Sequence, residues 1–280
     1  MIANSILYIF SKQIRKCNKK FIGIHKGESC YIFGNGASLK YFDLKKFSDK
    51  IALGLGALFV HKEFEYLQMR YCYEGQPFFF YPYWSNPYRN NKFEKNIIGR
   101  FYKERFLSYP NIIYFMSLSN YFGINGSNKY FVHHFNQPFN GFHNCLLNEK
   151  FTSMSSGLAG IIGIAICLGF KDITLVGYDY SMFPQAQGHF YEYGGWFENT
   201  YWGTPVNKEV LLAAMQHANI RIVTPNDSYR GHILPGITYK TLTGDEPCYR
   251  ENNEICENSG LLRLNEGRMS YKIFPPEFSK

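Results

Sequence analysis

The sequence predicts an α/β fold, with a single Rossmann-like domain, a mostly parallel central sheet, helices on both faces and an irregular lid. Apolar, strand-like segments that end in glycine or small polar residues alternate with helix-compatible segments, which is the rhythm of βαβ units. The chain has 280 residues, 45% of them hydrophobic, and this suffices for the core of one large domain. No internal repeat is evident.

The first predicted strand leads directly into a tight turn at Gly34-Asn35-Gly36. Glycine permits positive φ and lets a ligand approach the backbone, and Ser38 could start a helix whose free N–H groups attract an anion. We therefore expect a nucleotide-phosphate site here. Position 39 is Leu, so the third glycine of a dinucleotide fingerprint is missing, and a P-loop is absent. An ordinary strand-to-turn connection remains the alternative.

The middle of the chain predicts further elements of the sheet and its helices. Strands are expected at 51–59, 77–84, 111–117 and 129–135, and helical stretches at 61–70 and 89–106. The region 123–148 is dense in Asn, Gly and His, and we expect it to form surface loops.

A second informative segment begins at Ser155-Ser156-Gly157. These small residues precede an apolar helix at 158–168 and a strand at 173–176. The strand ends at Gly177-Tyr178-Asp179-Tyr180. Because the carboxyl ends of parallel strands form the ligand crevice, Asp179 and Tyr180 should lie at that edge, close to the Gly34 turn.

The last unit of the domain follows a long irregular stretch. A helix is expected at 207–218 and a strand at 220–223, whereas 181–206 is rich in Gly, Tyr and Trp and predicts an active-site lid. The chain then divides into an N-terminal basic amphipathic segment (1–27), a nucleotide-binding domain (28–240) and a C-terminal peripheral tail or subdomain (241–280).

The N-terminal segment opens with apolar residues and continues with a basic cluster, Lys12, Arg15, Lys16, Lys19 and Lys20. A secretory signal has its positive charge first, so we expect no export signal and a cytoplasmic location. A partial apolar stripe suits an amphipathic helix on the anionic, cytoplasmic face of an inner membrane, with a solvated basic arm as the alternative. The longest apolar run, 158–170, is shorter than the roughly 20 residues that cross a bilayer, and it predicts a buried helix.

Charge and cysteine content argue against a nucleic-acid-binding protein and against a disulfide-rich or zinc-binding protein. The formal charge of +8 is modest and the basic residues are scattered, so we expect no nucleic-acid partner. The seven cysteines form no Cys-x-x-Cys pair, which favours reduced thiols over a disulfide framework or a zinc site.

Three motifs occur in a fixed order: Gly34-Asn35-Gly36-Ala37-Ser38-Leu39, then Ser155-Ser156-Gly157 before an apolar helix, then Gly177-Tyr178-Asp179. With them the chain resembles the bacterial sialyltransferases that build sialylated lipooligosaccharides. It is also similar to the related methanopterin-pathway pyrophosphokinase-like proteins and the motility-associated proteins of flagellar nonulosonate glycosylation. The resemblance covers about residues 28 to 240 and implies a Rossmann-like nucleotide domain with a lid.

The chain departs from the sialyltransferase pattern at several positions. Ala37 stands in place of Pro, Gly54-Leu55-Gly56 in place of a strand-end Asn, and Ser181 in place of Tyr. The position of the family's catalytic histidine corresponds to Thr204. We expect His189 to act as general base instead, because imidazole titrates near pH 6.5 and a lid places it over the reacting centre.

The resemblance implies a glycosyltransferase that moves a nonulosonate such as sialic acid from a CMP-sugar to a cell-surface glycan acceptor, in lipooligosaccharide or capsule biosynthesis. The implied mechanism is a metal-independent inverting displacement. The expected catalytic residues are His189, Asp179 and Tyr191. The expected nucleotide-binding residues are Gly34, Asn35, Gly36, Ser38, Ser155, Ser156, Gly157 and Tyr180.

No cofactor and no metal are expected. The chain has no Asp-x-Asp tripeptide, Glu63-Phe64-Glu65 falls in a charged stretch typical of solvated surface, and the adjacent His133 and His134 should point to opposite faces of a strand. Two other functions stay open: a magnesium-dependent pyrophosphokinase-like phosphotransferase, and a noncatalytic nucleotide- or glycan-binding module. The sequence leaves oligomerisation open.

Overall fold

The computed structural model describes residues 8–82, 97–134, 141–142, 146–151, 156–185, 188–191 and 208–250. The strands within these ranges are β1 Ser29–Phe33, β2 Ile51–Leu55, β3 Gln68–Glu74, β4 Ile113–Ser117, β5 Lys129–His134, β6 Lys150–Phe151, β7 Asp172–Val176, β8 Met182–Phe183, β9 Asn219–Thr224, β10 Arg230–Gly231 and β11 Gly236–Thr238. The α-helices are α1 Lys12–Lys16, α2 Ile97–Ser108, α3 Gly157–Leu168, α4 Lys208–Met215 and α5 Tyr239–Thr243.

Nine strands form one sheet in the order β11-β9-β7-β1-β2-β3-β4-β5-β6, and the described pairings within it are parallel. Strands β8 and β10 form a separate antiparallel pair. The chain lays down β1 to β6 in one direction and then returns to place β7 on the other side of β1. This reversal makes the β1–β7 boundary the topological switch point of the sheet, where ligands bind in open α/β folds. The predicted α/β fold with a mostly parallel sheet is confirmed.

The two faces of the sheet carry separate cores because successive side chains of a strand point in opposite directions. In β1, Tyr31 and Phe33 pack in one core, and Cys30 and Ile32 pack in the other. Helices α3 and α4 cover the second core, while α2, α5 and several 3-10 turns cover the first. A strand buried on both faces is typical of the centre of a parallel sheet.

Helix α3 begins and ends where the sequence predicts. The Ser156 hydroxyl accepts the Ala159 N–H at 3.2 Å, and Gly169 ends the helix in the left-handed region with φ of 100°. The helix packs closely on β3, since a Cβ built on Gly160 would lie 2.4 Å from Cε1 of Tyr73. This close packing fixes the position of the helix start relative to the ends of β2 and β3.

Three local predictions are wrong. The strand expected at 51–59 ends at Leu55, and Gly56–Val60 forms a buried 3-10 turn, so its apolar residues face the core without being extended. The helix expected at 61–70 is a 3-10 turn at Phe64–Tyr66 followed by the start of β3, because Leu67, Met69 and Tyr71 follow the two-residue period of a strand. The strand expected at 77–84 forms turns over its described part, 77–82, since β3 and β4 already pair with each other.

The predictions for the rest of the sheet agree better. Strands expected at 111–117, 129–135, 173–176 and 220–223 correspond to β4, β5, β7 and β9, and the helices expected at 89–106 and 207–218 correspond in their described parts to α2 and α4. The five described cysteines carry free thiols.

The described residues at both ends of the chain pack on the domain. The Arg15 side chain is buried and donates to the Asn148 carbonyl at 2.6 Å, and the Asn18 amide donates to the Phe131 carbonyl at 2.9 Å. Near the other end, the Arg250 N–H donates to the Lys40 carbonyl at 2.8 Å. Within the described ranges, no helix has the length and apolar character needed to cross a membrane.

Candidate functional site

The ends of β1 and β7 meet at the switch point of the sheet and are tied by backbone hydrogen bonds. The Gly34 N–H donates to the Val176 carbonyl at 2.8 Å, and the Gly36 N–H donates to the Gly177 carbonyl at 2.9 Å. A Cβ built on Gly34 would lie 2.4 Å from the Gly177 oxygen. The glycines of the turn are therefore required for this close approach of two backbones.

Asp179 lies under the Gly34–Gly36 turn and is bound by Ser38. The Ser38 N–H donates to Asp179 Oδ2 at 2.7 Å, and the Ser38 hydroxyl donates to Oδ1. A Cβ on Gly36 would lie 2.5 Å from the Asp179 carboxyl carbon, so this glycine gives the carboxylate its space. The sequence predicted that Ser38 starts an anion-binding helix. In the structure Ser38 lies within a short 3-10 turn, Ala37–Tyr41, and its N–H and hydroxyl donate to Asp179 instead of to a ligand.

The Asp179 carboxyl is almost fully buried, with 1% of its surface exposed. Burial raises the pKa of Asp179 to about 6, while the hydrogen bonds from Ser38 and the interaction with His189 act in the opposite direction. The Asp179 carboxyl and the His189 imidazole therefore lie close enough to interact electrostatically. Asp179, directly after β7, and His189, in the described part of the predicted lid, are both brought to the Gly34–Gly36 turn.

His189 and Tyr191 belong to a short described part of the predicted lid, 188–191. His189 forms an isolated antiparallel bridge with Gly36, and the Phe190 N–H donates to the Asn35 carbonyl at 3.0 Å. The rings of His189 and Tyr191 stack with centroids 5.0 Å apart and an interplanar angle of 11°. Both rings are partly exposed at the crevice. The backbone contacts hold the imidazole over the turn, and the stack orients its plane.

The side-chain oxygen of Asn35 is buried and has no hydrogen-bond partner among the described residues. A buried acceptor without a partner costs roughly 1–3 kcal/mol, and a ligand N–H or O–H would recover that cost. Asn35 is itself only partly buried, so it is accessible from the crevice. This is the property expected of a residue that reads a base or ribose edge.

The start of α3 lies beside the end of β2, one strand from Asn35. A Cβ on Gly157 would be in ordinary contact with Leu55 Cδ1, at 3.4 Å. The first-turn N–H groups of a twelve-residue helix without acidic residues in that turn make a favourable place for an anion. Ser156 caps this helix, whereas Ser155 lies outside the described residues. Tyr180 is at the edge of the crevice with 41% of its surface exposed.

Three residues of the site escaped the sequence analysis. Glu74, at the end of β3, is buried, and a Cβ on Gly56 would lie 3.0 Å from its Oε2. Burial raises the pKa of Glu74 to about 7. Tyr229 lies near Asp179, and burial together with the Asp179 charge raises the pKa of its phenol to about 12, so the hydroxyl stays protonated and can donate.

His61 is the third of these residues, and it packs against the described part of the predicted lid. Its Nδ1 accepts the Glu63 N–H at 3.1 Å, and burial lowers the pKa of the imidazole to about 3, so Nε2 carries the proton of a neutral ring. The Phe190 ring packs on it with centroids 5.3 Å apart. Nε2 is buried and has no partner among the described residues. Local sequence patterns do not show which residues the fold buries or packs together. These three residues could therefore not be identified from the sequence.

Several expectations concerned metals and charges. Among the described residues, no three or more His, Cys, Asp or Glu side chains converge in a way that could hold a metal ion. Glu63 was expected on solvated surface, and this is wrong, because its buried carboxylate accepts the Leu44 N–H at 2.8 Å and pairs with Arg250 at 3.0 Å. His143, Thr204 and residues 192–206 of the predicted lid lie outside the described residues.

No protein-family model, no curated protein and no solved structure matches this chain.

Proposed function

We propose that this protein is a glycosyltransferase that transfers a nonulosonate such as sialic acid from a CMP-sugar to a cell-surface glycan acceptor. The observation that carries the proposal is the juxtaposition, at the switch point of a parallel sheet, of the Gly34–Gly36 turn, the buried Asp179 carboxyl and the His189 ring. Nucleotides bind at such crevices, and a carboxylate–imidazole pair supplies the general base that glycosyl transfer needs.

The donor lies across the ends of β1 and β2 in this proposal. The unpartnered Asn35 oxygen accepts a hydrogen bond from the base or the ribose. The phosphate binds at the start of α3, next to Ser156 and Gly157, where backbone N–H groups and the helix dipole favour negative charge. Ser38 contributes by holding Asp179 rather than by touching phosphate.

The acceptor hydroxyl approaches from the side of His189. Its oxygen attacks the anomeric carbon while its proton passes to the imidazole, and the bond from that carbon to the phosphate oxygen breaks with its electron pair leaving on CMP. Asp179 stabilises the imidazolium that forms, because the carboxylate is buried and close enough to interact with His189. Tyr191 keeps the imidazole plane oriented through the ring stack.

Thermal unfolding in the presence of nucleotides tests the donor assignment. A ligand that binds the native state raises the unfolding midpoint by mass action. We expect CMP to raise the midpoint with magnesium or with EDTA, and UMP, GDP and ATP to leave it unchanged. A shift confined to ATP with magnesium would overturn the CMP assignment and favour the pyrophosphokinase-like function.

Two variants make this test specific. Asn35→Ala should abolish the CMP shift, because it removes the buried acceptor. Asn125→Ala is the matched control, since Asn125 is exposed outside the crevice and its loss should leave the shift intact. Transfer is then assayed with CMP-activated nonulosonates, and CMP binding without turnover on any tested acceptor would favour the noncatalytic binding module.

A further inference from the structure

A groove of about 520 Å³ lies far along the sheet from the switch point, between α1 and the turn that follows β4. One wall is formed by the α1 side, with Gln13, Ile14 and Cys17, and the other by Tyr121 and Phe122. The groove lies next to β5, at the side of the sheet remote from β7. It therefore has no part in the proposed nucleotide site.

Large apolar side chains are exposed on both sides of this groove. Phe122 is 86% exposed, Phe10 is 80% exposed and Ile9 is 66% exposed. Ile9 and Phe10 belong to the turn directly before α1, and the Arg15 guanidinium of α1 holds this turn by donating to the Tyr8 carbonyl at 2.7 Å. Phe122 is thus exposed on one wall of the groove, and Ile9 and Phe10 are exposed on the turn that precedes α1 on the other side; we name Ile9, Phe10 and Phe122 the apolar patch.

Exposed lysines lie near both parts of the apolar patch. Four exposed lysines, Lys12, Lys16, Lys19 and Lys20, follow Ile9 and Phe10 in the chain. Lys20 Nζ donates to the Tyr130 hydroxyl at 2.6 Å, which places it at the groove. On the opposite wall, Lys103 Nζ donates to the Gly123 carbonyl at 3.3 Å, directly after Phe122. The Glu149 carboxylate at this end of the molecule is engaged by the Tyr8 hydroxyl.

Exposed apolar side chains with lysines nearby fit a surface that is apolar inside and negatively charged outside. An anionic lipid bilayer has this structure, because its acyl chains lie beneath a layer of phosphates. A second copy of this chain fits less well, since an isologous contact would bring the same lysines face to face. Nucleic acid would use the lysines and the aromatic rings but offers no apolar layer for an aliphatic side chain such as Ile9.

We propose that the apolar patch docks the protein on an anionic lipid bilayer, with Ile9, Phe10 and Phe122 entering the acyl-chain boundary and the nearby lysines contacting the lipid phosphates. The partial apolar stripe predicted for the N-terminal segment includes Ile14. In the structure Ile14 packs against the protein core, and Phe122, from a distant part of the chain, completes the surface instead.

Vesicle co-sedimentation of the full-length protein tests this proposal. Vesicles of phosphatidylcholine alone are compared with vesicles that also contain phosphatidylglycerol, at low salt of about 0.1 M. We expect at least about tenfold stronger partitioning onto the anionic vesicles, reduced by high salt because exposed charges are screened. Equal partitioning onto both kinds of vesicle, or none onto either, would overturn the proposal.

A double variant and its matched control separate the effect of the apolar patch on vesicle binding from the effects of overall charge and of folding. Phe10→Gln with Phe122→Gln should lower partitioning onto anionic vesicles by about tenfold, because two exposed rings no longer enter the bilayer. Leu212→Gln with Met215→Gln is the matched control, since both side chains are exposed on α4, and it should partition like the unchanged protein. An equal loss in the control pair would contradict the assignment.

Two further measurements separate the bilayer proposal from the proposed function and from nucleic-acid binding at the same surface. The Phe10/Phe122 variant should keep the CMP-induced rise in the unfolding midpoint, so failure of the docking surface and failure of the proposed function are distinguishable. Binding of a single-stranded RNA oligonucleotide that is lost in this variant, without vesicle binding by the unchanged protein, would assign the surface to nucleic acid and refute the bilayer.

Discussion

Replacing Glu74 by Gln is expected to remove the free-energy cost of ionising a buried carboxyl, which destabilises the folded protein at neutral and alkaline pH. The Glu74 carboxyl is buried at the end of β3, where Oε1 accepts the Gln76 N–H at 2.9 Å. Glutamine has the same shape and keeps an oxygen for this hydrogen bond. The substitution therefore removes the ionisable proton with little change in packing.

The magnitude follows from the two pKa values of the carboxyl. Burial raises the pKa of Glu74 from 4.5 to about 7. One pKa unit corresponds to about 1.4 kcal/mol, so ionisation costs the folded state about 3 kcal/mol relative to the unfolded chain. Because the folded pKa is the higher one, stability is fully present below pH 4.5 and falls as the pH rises to about 7. Above that window both states are ionised and the cost stays constant.

Urea unfolding of both proteins, followed by circular dichroism from about pH 5 to about pH 8, measures this effect. The free energy of unfolding of Glu74→Gln should exceed that of the unchanged protein by about 2.5 kcal/mol more at the alkaline end than at the acidic end, because the unfolded carboxyl is already largely ionised at pH 5. Glu65→Gln is the control, because it removes a carboxyl that is exposed. A difference between Glu74→Gln and the unchanged protein that does not vary with pH would refute the buried-carboxyl argument.

Three further predictions concern the crevice itself. Gly36→Ala should destabilise the fold by about 1–3 kcal/mol in urea unfolding, because its Cβ would lie 2.5 Å from the Asp179 carboxyl carbon, and Gly157→Ala, whose Cβ meets only ordinary contacts, should cost less. His189→Ala should abolish sugar transfer and leave CMP binding nearly intact, and equal loss of both would refute its role as base. Ser156→Asp should keep α3 capped but repel phosphate, so CMP affinity measured by calorimetry should fall while cytidine affinity stays unchanged.

The elements that the sequence predicts well are those whose local pattern and tertiary role agree. Strand β1 is a continuous apolar run because both of its faces are buried, and α3 has a serine cap, an apolar body and a terminal glycine. The errors come from segments whose apolar residues are buried in turns. Gly56–Val60 resembles a strand in sequence because a buried 3-10 turn has the same apolar composition. Only the pairing of β2 with β3, which stops at Leu55, shows where the strand ends.

The candidate site divides in the same way. The Gly34–Gly36 turn could be found from sequence because glycine between a strand and a short helix is a local signal. The pairing of Ser38 with Asp179 joins residues 141 positions apart and depends on β1 and β7 being neighbours, which no local pattern encodes. Glu74 is a single carboxylate at a strand end, and its burial becomes visible only when β2 and β4 lie on either side of β3.

The Ser38–Asp179 pair determines where a phosphate can bind in the proposed function. Both Ser38 donors point at a carboxylate, so a phosphate at that turn would meet negative charge instead of free N–H groups. The start of α3, beside the end of β2, has no acidic residue in its first turn. In the proposed function the anomeric carbon is bonded to this phosphate, and direct displacement requires the acceptor oxygen to approach that carbon from the opposite side, where His189 at the Gly36 turn is the proposed base.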